Sequence, residues 1–473
     1  MIFKKTRIIA TIGPASSNEL VLTKLIRSGV NVVRLNFSHG DHESHKEVIE
    51  LVRRVAKKLD STVAILQDLP GPKIRIGDFY TERVQIKKGS IFTLTTKHCV
   101  GDEKIAYVNY KPLPKEVKKG SFILLDDGKK KLQVISTTST EIKCRVMVGG
   151  ETKGRRGVNV PGAYLKISSL TENDKEHLAF GIKQNVDFIA LSFVRRESDI
   201  LELKEILKKA GSDAAVIAKI ETEEAIENFD KIIEATDAVM VARGDLAVEV
   251  PAENVPLLQK KIVKKCNKLG KPVIVATQML ESMIKSPVPT RAEVSDVANS
   301  ILDGADAVML SEETALGENP VEAVSMMSSV AGKIEASYPR VSFVDPDVCE
   351  VPLKEVVDAV SSSVVNTAHD VGAKVIIALT ESGFTARMVS RYKPVQPIIV
   401  MTPNEKTVNK VILSFGCRSV VIKPFKYVAN VMDQVRKFVL KEKYAKKGDR
   451  VIIVAGVPFG QRGGTNMLMV EVI

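Results

Sequence analysis

Two segments, Ala215-Val-Ile-Ala-Lys219-Ile-Glu221 and Ala238-Val-Met-Val-Ala-Arg243-Gly-Asp245, decide the predicted fold of this chain. Each is an apolar run of strand length that ends in charge, and the two-residue period of a strand places Lys219 and Glu221 on one side. If the strands are neighbours, Asp245 lies next to Glu221. Two carboxylates suit Mg²⁺, and a lysine beside them suits phosphoryl or enolate chemistry. The alternative is a Lys219–Glu221 salt bridge, with Asp245 as a helix cap.

These two segments belong to a set of eight apolar runs that alternate with helical patterns, at residues 7–12, 30–35, 63–66, 187–191, 214–220, 238–241, 272–276 and 305–310. Eight strands buried on both faces predict a (β/α)8 TIM barrel, an α/β fold whose chemistry gathers at the C-terminal ends of the strands. Polar residues follow six of these strands at that end: Arg34, Asn36 and Ser38; Asp68; Lys219 and Glu221; Asp245; Thr277 and Gln278; and Ser311.

Two regions depart from the barrel pattern. Short alternating runs with Lys-Gly, Asp-Asp-Gly and Gly-Gly turns predict an inserted all-β lid domain, flanked by Pro-Gly hinges. From residue 341, strands alternating with helices predict an open α/β domain. The predicted domains are a catalytic barrel at 1–69 and 163–340, a β-barrel lid at 70–162, and a C-terminal α/β domain at 341–473.

The composition describes a globular protein of several domains, with 473 residues, 44% of them hydrophobic and 27% charged. No stretch has the length of a membrane span and the N-terminus lacks a signal-peptide pattern, so we expect a cytoplasmic protein without a membrane partner. The net charge of +12 favours anionic partners, but the absence of tryptophan and of any recognition motif argues against nucleic acid. Three neighbouring histidines, His39, His42 and His45, are expected at a solvated helix start rather than on a metal.

Seven motifs in order along the chain resemble the pyruvate kinase family, at residues 6–16, 31–40, 71–75, 219–221, 240–246, 276–283 and 289–299. The resemblance implies transfer of the phosphoryl group of phosphoenolpyruvate to ADP, which gives pyruvate and ATP in the last step of glycolysis. It also implies Mg²⁺ as the cofactor, with Mn²⁺ as a substitute, and a homotetramer.

The resemblance assigns roles to individual residues. It implies that Arg34 and Lys219 neutralise the phosphoryl group and that Glu221 and Asp245 hold Mg²⁺. Gly244 and Asp245 would bind the substrate carboxylate together with Thr277. Either Thr277 or Ser311 would protonate the enolate through water. Nucleotide phosphates would be bound by four residues: Asn36, His39, Arg75 and Asp127.

The family resemblance also places a monovalent-cation site at Asn36, Ser38 and Asp68. This chain has Gly-Pro-Lys73 where potassium-dependent relatives have Gly-Pro-Glu. We therefore expect the Lys73 ammonium to replace the charge of K⁺, so that K⁺ is not required.

In the C-terminal domain, Thr380, Ser382 and Thr385 lie between a strand and a helix, which suits a phosphate group, although an ordinary N-cap is the alternative. The family resemblance makes this, together with the loop at 456–465, a pocket for a sugar-phosphate or AMP effector.

Two other functions compete with this interpretation. A barrel lyase or aldolase would also stabilise an enolate on Mg²⁺, but it does not need a nucleotide-closing lid of this size. A catalytically silent, basic binding protein would not need Arg34, Lys219, Glu221, Asp245 and Thr277 to be present together.

Overall fold

The computed structural model describes residues 4–337, 355–424, 427–458 and 464–473. Its strands, numbered in chain order, are β1 (Arg7–Thr11), β2 (Val32–Asn36), β3 (Ala64–Asp68), β4 (Arg83–Ile86), β5 (Ile91–Thr95), β6 (Ile105–Tyr107), β7 (Phe122–Leu125), β8 (Lys130–Thr137), β9 (Glu141–Val148), β10 (Gly150–Lys153), β11 (Val158–Asn159), β12 (Phe188–Leu191), β13 (Ala215–Ile220), β14 (Ala238–Ala242), β15 (Val273–Ala276), β16 (Ala307–Leu310), β17 (Ile376–Leu379), β18 (Ile398–Thr402), β19 (Cys417–Val421), β20 (Arg450–Ala455) and β21 (Met467–Val472).

The α-helices are α1 (Glu19–Ser28), α2 (His42–Lys58), α3 (Leu113–Glu116), α4 (Glu172–Lys183), α5 (Glu197–Lys209), α6 (Glu223–Glu227), α7 (Phe229–Ala235), α8 (Arg243–Glu249), α9 (Val255–Leu269), α10 (Arg291–Leu302), α11 (Glu312–Ala315), α12 (Pro320–Ser337), α13 (Val356–Asp370), α14 (Phe384–Ser390), α15 (Glu405–Lys410) and α16 (Val428–Lys441). Two 3₁₀ turns span Ala252–Asn254 and Glu281–Ile284.

The eight predicted strands form a closed parallel barrel in the order β1-β16-β15-β14-β13-β12-β3-β2, which confirms the TIM barrel. The predicted bounds agree with the observed strands within two residues. One set of strand side chains fills the barrel interior, including Ile9, Phe188 and Met240, and the alternate set packs against the surrounding helices. Because both faces of each strand are covered, the strands read as continuous apolar runs.

The inserted domain lies between β3 and α4 and has its own apolar core, which includes Phe92, Ile123 and Leu132. Its strands pair as a two-stranded sheet, β10-β4, and a six-stranded sheet, β11-β7-β8-β9-β5-β6. Single bridges from Arg75 to Gly157, beside β11, and from Ile76 to Val108, beside β6, connect the two edges of the six-stranded sheet. The β-barrel expected from the sequence stays a prediction. The domain also contains the short helix α3, which begins at a proline-rich turn.

The C-terminal domain is an open sheet in the order β19-β18-β17-β20-β21, as predicted, and β21 alone pairs antiparallel. Helices α13 and α14 pack on one face and α16 on the other. The predicted boundary at residues 340 and 341 lies outside the described residues. Among the helices of the described ranges, none has the length and apolar character needed to cross a bilayer.

A buried ion pair joins the C-terminal domain to the N-terminal end of the barrel. Lys393 Nζ lies 2.6 Å from Asp306 Oδ1, and both residues are buried. The Asp306 carboxylate also accepts hydrogen bonds from Phe415 N and Val273 N, each at 3.0 Å. Both charges are therefore balanced, and Asp306 binds backbone of both domains.

Replacing Lys393 with methionine should lower the free energy of unfolding by roughly 3 to 5 kcal/mol, because the substitution leaves Asp306 buried without a counter-charge. Denaturant titration followed by circular dichroism measures the change. Lys374→Met, at an exposed lysine of the same domain, is the control and should stay near the wild type. A change below about 1 kcal/mol for Lys393→Met would show that the ion pair does not hold the junction.

Candidate active site

Lys219 lies at the centre of a buried charged cluster at the C-terminal end of the barrel. Its Nζ is 3.0 Å from Glu221 Oε1 and 3.2 Å from Asp68 Oδ1, and it donates a hydrogen bond to Ser192 Oγ at 2.6 Å. Arg34 joins the cluster from β2, with its Nε 2.7 Å from Asp68 Oδ2. Two positive and two negative groups thus balance one another, as buried charges require.

The cluster fixes the protonation of its members. Burial lowers the pKa of Lys219, but Asp68 and Glu221 together raise it by more, so the net shift is upward. Burial raises the pKa of Asp68, whereas Lys219 and Arg34 lower it by more, so the net shift is downward. Lys219 is therefore a permanent ammonium at neutral pH that cannot act as a general base.

Glu221 and Asp245 form the carboxylate pair that the sequence predicts. Glu221 Oε2 accepts a hydrogen bond from Phe193 N at 2.7 Å, and Asp245 lies in the first turn of α8, directly after the neighbouring strand β14. Burial raises the pKa of Glu221; Lys219 opposes this shift and Asp245 adds to it. Two carboxylates that raise each other's affinity for positive charge suit a divalent cation.

The donor set therefore fits Mg²⁺, which takes one or two carboxylates and completes its shell with substrate oxygens and water. Within the described parts of the chain, no group of three or more His, Cys, Asp or Glu side chains is arranged to hold a metal. A site with two protein ligands agrees with this finding, because the remaining ligands would come from the substrate.

Thr277 and the beginning of α8 lie together, as predicted. Thr277 follows β15 with a φ of +74°, a strained value for a β-branched residue. Its hydroxyl donates to Ala276 O at 2.6 Å and accepts from Gly244 N at 2.8 Å. Arg243 supports this loop: its guanidinium donates to Thr277 O at 2.9 Å and binds Asp296 through two hydrogen bonds of 2.6 Å. The strain thus lies where a backbone N–H and a hydroxyl converge.

Ser311 follows β16, the barrel strand next to β15. Its backbone N donates to Glu313 Oε2 at 2.6 Å, and the other oxygen of Glu313 accepts from Leu280 N at 3.1 Å. Glu313 therefore ties the loops after β15 and β16 together. Ser311 lies at the same end of the barrel as Thr277.

The four predicted nucleotide contacts fall into two groups. Asn36 ends β2 and His39 is exposed on the loop that follows it. Arg75 and Asp127 belong to the lid and are exposed. Arg75 Nη1 donates to Arg155 O at 3.2 Å, and Asp127 lies in the turn between β7 and β8 with a φ of +52°. The barrel group and the lid group would have to meet across the cleft between the two domains.

The lid contacts the barrel on the same short helix that carries Asp245. Asn159 Nδ2, on β11, donates a hydrogen bond to Glu249 Oε1 at 2.8 Å. At the β7–β8 turn, a Cβ on Gly128 would lie 3.7 Å from a methyl group of Val248. Burial raises the pKa of Glu249 to about 7, although the Asn159 hydrogen bond opposes the shift. One end of α8 therefore binds the lid, and the other end carries a candidate metal ligand.

Two residues of the predicted monovalent-cation site, Asp68 and Asn36, already have polar partners in the structure. Asp68 is engaged by the charged cluster, and Asn36 Oδ1 accepts a hydrogen bond from Ser38 N at 3.1 Å. The Lys73 side chain lies against the lid, with its Cε 3.2 Å from the position a Cβ on Gly157 would occupy. Lys73 lines the cleft between lid and barrel. The replacement of K⁺ by Lys73 stays a prediction.

His42 begins α2, as expected, but His42 and His45 are only half-exposed because their rings pack on other aromatic side chains. The His42 ring stacks on Phe180, and its Nε2 lies 2.8 Å from His177 Nδ1. His45 stacks on Phe37 with ring centroids 4.1 Å apart. The partners Phe180 and His177 come from α4, far along the chain, so local spacing around α2 could not reveal them.

In the C-terminal domain the predicted effector residues surround the beginning of α14. Thr380 Oγ1 accepts a hydrogen bond from Gly383 N at 3.1 Å, and Ser382 is half-buried. The hydroxyls of Thr385 and Thr465 lie 2.9 Å apart, so the loop after β20 does reach α14. Residues 459–463 of the predicted loop lie outside the described residues.

Sequence reasoning missed Ser192, Thr11 and Asn159. Ser192 Oγ accepts from Lys219 and donates to Leu69 O at 2.7 Å; Thr11 Oγ1 accepts from Arg34 Nη1 at 2.9 Å. Ser192 and Thr11 follow or end the fourth and first barrel strands, the two strands to which no polar residue was assigned. A search for polar residues at the C-terminal ends of all eight strands would have found both. No feature of the neighbouring sequence identifies Asn159 as a contact residue.

Comparison with known proteins gives consistent matches. The family description "Pyruvate kinase, barrel domain" matches residues 3–324, and "Pyruvate kinase, alpha/beta domain" matches residues 358–471. Pyruvate kinases of Staphylococcus aureus strains MRSA252 and USA300 are each 45% identical over 472 residues, covering 99% of this chain and 80% of theirs. A solved pyruvate kinase from Cryptosporidium parvum superposes with a TM-score of 0.93 at 38% identity, covering 99% of this chain and 96% of that one.

Replacing Glu249 with glutamine should make the protein progressively more stable than the wild type as the pH rises from about 4.5 to about 7. A carboxyl group whose pKa is raised in the folded state contributes fully below its unfolded pKa, and this contribution is lost as the pH rises through the folded pKa. The difference should grow by at most about 1.4 kcal/mol per pH unit. Chemical unfolding in Mg²⁺-free buffer measures it. Glu253→Gln, at an exposed glutamate, is the control, and a pH-independent difference would contradict the prediction.

Proposed function

Because the chain belongs to the pyruvate kinase family and transfers the phosphoryl group of phosphoenolpyruvate to ADP, we propose that Lys219 and Arg34 neutralise the transferred group and that Glu221 and Asp245 hold its Mg²⁺. The observation that carries this assignment is the Lys219 ammonium, held between Asp68 and Glu221 at 3.2 and 3.0 Å. Bound Mg²⁺ would act as a Lewis acid on the phosphoryl oxygens.

Lys219 and Arg34 act by their fixed charge. In phosphoryl transfer, negative charge is spread over the oxygens of the moving group, so the protein contributes mainly position and electrostatic stabilisation. Asp68 holds both cations, by an Nε–Oδ2 distance of 2.7 Å for Arg34 and an Nζ–Oδ1 distance of 3.2 Å for Lys219. Such groups need no reorientation when charge develops, which makes their effect large.

The loop of Thr277 and the beginning of α8 would hold the substrate carboxylate. The Gly244 amide now donates to Thr277 Oγ1 at 2.8 Å, so both groups already point to a common place. A carboxylate there would accept from a helix N-terminal amide and from a hydroxyl. Thr277 or Ser311, through water, would then supply the proton to the enolate.

Closure of the lid would bring Arg75 and Asp127 towards Asn36 and His39 and so enclose the nucleotide phosphates. The contacts of the lid with α8 support this role, because they connect lid position to the helix that carries Asp245. Excluding water from the cleft would strengthen each charge interaction within it.

Five further assignments belong to this proposal: the substitute metal, the role of K⁺, the effector, the compartment and the oligomeric state. Mn²⁺ would substitute for Mg²⁺ at the same oxygen ligands, and Lys73 would make K⁺ dispensable. Thr380, Ser382 and Thr385 would bind a sugar-phosphate or AMP effector. The chain would act in the cytoplasm as a homotetramer.

Replacing Lys219 with methionine should reduce kcat by several orders of magnitude and leave the binding of phosphoenolpyruvate within roughly tenfold, because the charge acts mainly in the transition state. Steady-state kinetics and direct binding titration separate the two effects. Lys219→Arg, which keeps the charge, should retain more activity than Lys219→Met.

Lys209→Met, at an exposed lysine on α5, is the matched control for the loss of a positive charge. Because Lys219→Met leaves Asp68 and Glu221 without their shared counter-charge, its folded fraction must be measured by circular dichroism. A well-folded Lys219→Met variant with near-normal turnover would show that Lys219 is structural.

ATP formation from phosphoenolpyruvate and ADP with Mg²⁺ should proceed in Tris buffer without K⁺, at matched ionic strength, as it does with KCl. The Lys73→Glu variant should become dependent on K⁺, because a carboxylate there requires a cation. Lys87→Glu, at an exposed lysine of the lid, is the charge-matched control. Wild-type activity only with K⁺ would exclude the role of Lys73, and no activity in either buffer would exclude the kinase function.

A further inference from the structure

A cavity of about 740 Å³ lies between the barrel and the C-terminal domain, at the end of the barrel opposite the charged cluster. The barrel wall is formed where β12 to β15 begin, by residues such as Ala215 and Pro272. The other wall is formed by α14 and by the segment around Leu413. Its volume lies within the range of about 300 to 1,000 Å³ that is usual for small-molecule sites.

Cationic side chains outnumber carboxylates around this cavity. Five cations and two carboxylates line it, which gives a formal excess of three positive charges: Lys204, Lys208, Lys271, Arg387 and Lys410 against Asp213 and Asp237. The rest of the lining includes apolar side chains, among them Phe384, Met388 and Leu413. The cavity is therefore basic, with an apolar wall.

The carboxylates are already engaged by other groups. Asp237 Oδ1 is 2.7 Å from Lys204 Nζ, and its Oδ2 accepts a hydrogen bond from Val216 N at 2.9 Å. Asp213 forms ion pairs with Lys406 and, at 3.9 Å, with Lys410. Each carboxylate therefore already pairs with a lysine, and Asp237 acts on Lys271 and Arg387 only from beyond ion-pair distance, where it opposes the lowering of their pKa values by burial.

Lys208, Lys271 and Arg387 are the lining cations for which the described residues show no ion pair, and Lys271 and Arg387 are the two that are half-buried. Lys271 Nζ donates to the backbone oxygen of Thr236 at 2.6 Å, and the hydrogen bond of Arg387 is to Ser382 O at 3.4 Å. In the described parts of the chain, no carboxylate lies within ion-pair distance of either group. Burial lowers the pKa of Lys271, and Arg387 and Lys204 lower it further, although Asp237 opposes them. An anion bound here would relieve this repulsion.

We propose that this cavity binds a phosphate monoester, with its phosphate at Lys271 and Arg387 and its organic part against Phe384 and Leu413. A phosphate monoester carries a charge of roughly −1.5 to −2 at neutral pH, which offsets most of the excess contributed by Lys208, Lys271 and Arg387. Arginine presents a planar fork that matches phosphate oxygens, and lysine adds a point charge.

Apart from Ser382, the cavity lining shares no residue with the two sites already described. Lys219 lies at the opposite end of the barrel, and the Thr385–Thr465 contact lies within the C-terminal domain. Ser382 is shared between the cavity lining and the proposed effector residues, so it is unsuitable for the test. Because the walls belong to both domains, a ligand here would bridge them.

The test is isothermal titration of the full chain with phenyl phosphate and, separately, inorganic phosphate, in buffer without Mg²⁺ or substrates. The double variant Lys271→Met/Arg387→Gln should bind phenyl phosphate at this site at least about tenfold more weakly, because it loses two charge-assisted contacts. Lys208→Met, at an exposed residue that does not support the fold, should weaken binding by a smaller factor. Lys268→Met, an exposed lysine three residues before Lys271 that does not line the cavity, should bind like the wild type.

Thr385→Val separates this site from the proposed effector pocket. Unchanged binding in Thr385→Val together with weakened binding in the double and Lys208→Met variants would support the proposal. Wild-type affinity in the double variant, loss of binding in Thr385→Val alone, or no binding by the wild-type chain would overturn it. Equal affinity for inorganic and phenyl phosphate would overturn the assignment of a monoester, since the apolar wall would then contribute nothing.

Discussion

The interaction on which the active site depends is the buried network of Lys219, Asp68, Glu221 and Arg34. Removing a charge from water costs several kcal/mol, and here the ion pairs within the network recover it together with hydrogen bonds to Ser192, Thr11 and Phe193 N. The barrel makes this possible because β2, β3 and β13 bring their C-terminal ends to one place. The same arrangement therefore fixes two cations and two carboxylates at the proposed site of phosphoryl transfer.

Helix α8 connects this network to the lid. Asp245 lies in its first turn beside Glu221, and Glu249 in its last turn accepts a hydrogen bond from Asn159 of the lid. The loop of Thr277 packs against the same helix through the Gly244 amide. A movement of the lid would thus reach both the candidate metal ligand Asp245 and the loop of Thr277 through one short helix. Burial is the main cause of the raised pKa of Glu249, and the nearby carboxylates of Asp245, Glu223 and Glu221 add to the shift.

The sequence predicted most of the barrel and the core of the site, for a physical reason. Strands covered on both faces are largely apolar, so polar residues become visible near the C-terminal end of each strand, as at Lys219 near the end of β13 and at Arg243 directly after β14. Contacts between distant segments leave no such mark. The stacking of His42 on Phe180, the Asn159–Glu249 bond and the position of Lys73 against Gly157 all depend on how separate elements pack. The lid strands could be recognised from their alternation, but their pairing into two sheets could not, because short strands with similar patterns fit several registers.

The two ends of the barrel are used differently, and charge balance distinguishes them. At the C-terminal end the four buried charges of the network compensate one another, so the site is preorganised before any ligand binds. At the N-terminal end, the charges of Lys393 and Asp306 also compensate each other, with 2.6 Å between Nζ and Oδ1, and this ion pair joins the C-terminal domain to the barrel. Next to this neutral junction lies a cavity lined by the half-buried Lys271 and Arg387, for which the described residues show no ion pair. Because both domains line this cavity, an anion bound there would contact the barrel and the C-terminal domain together.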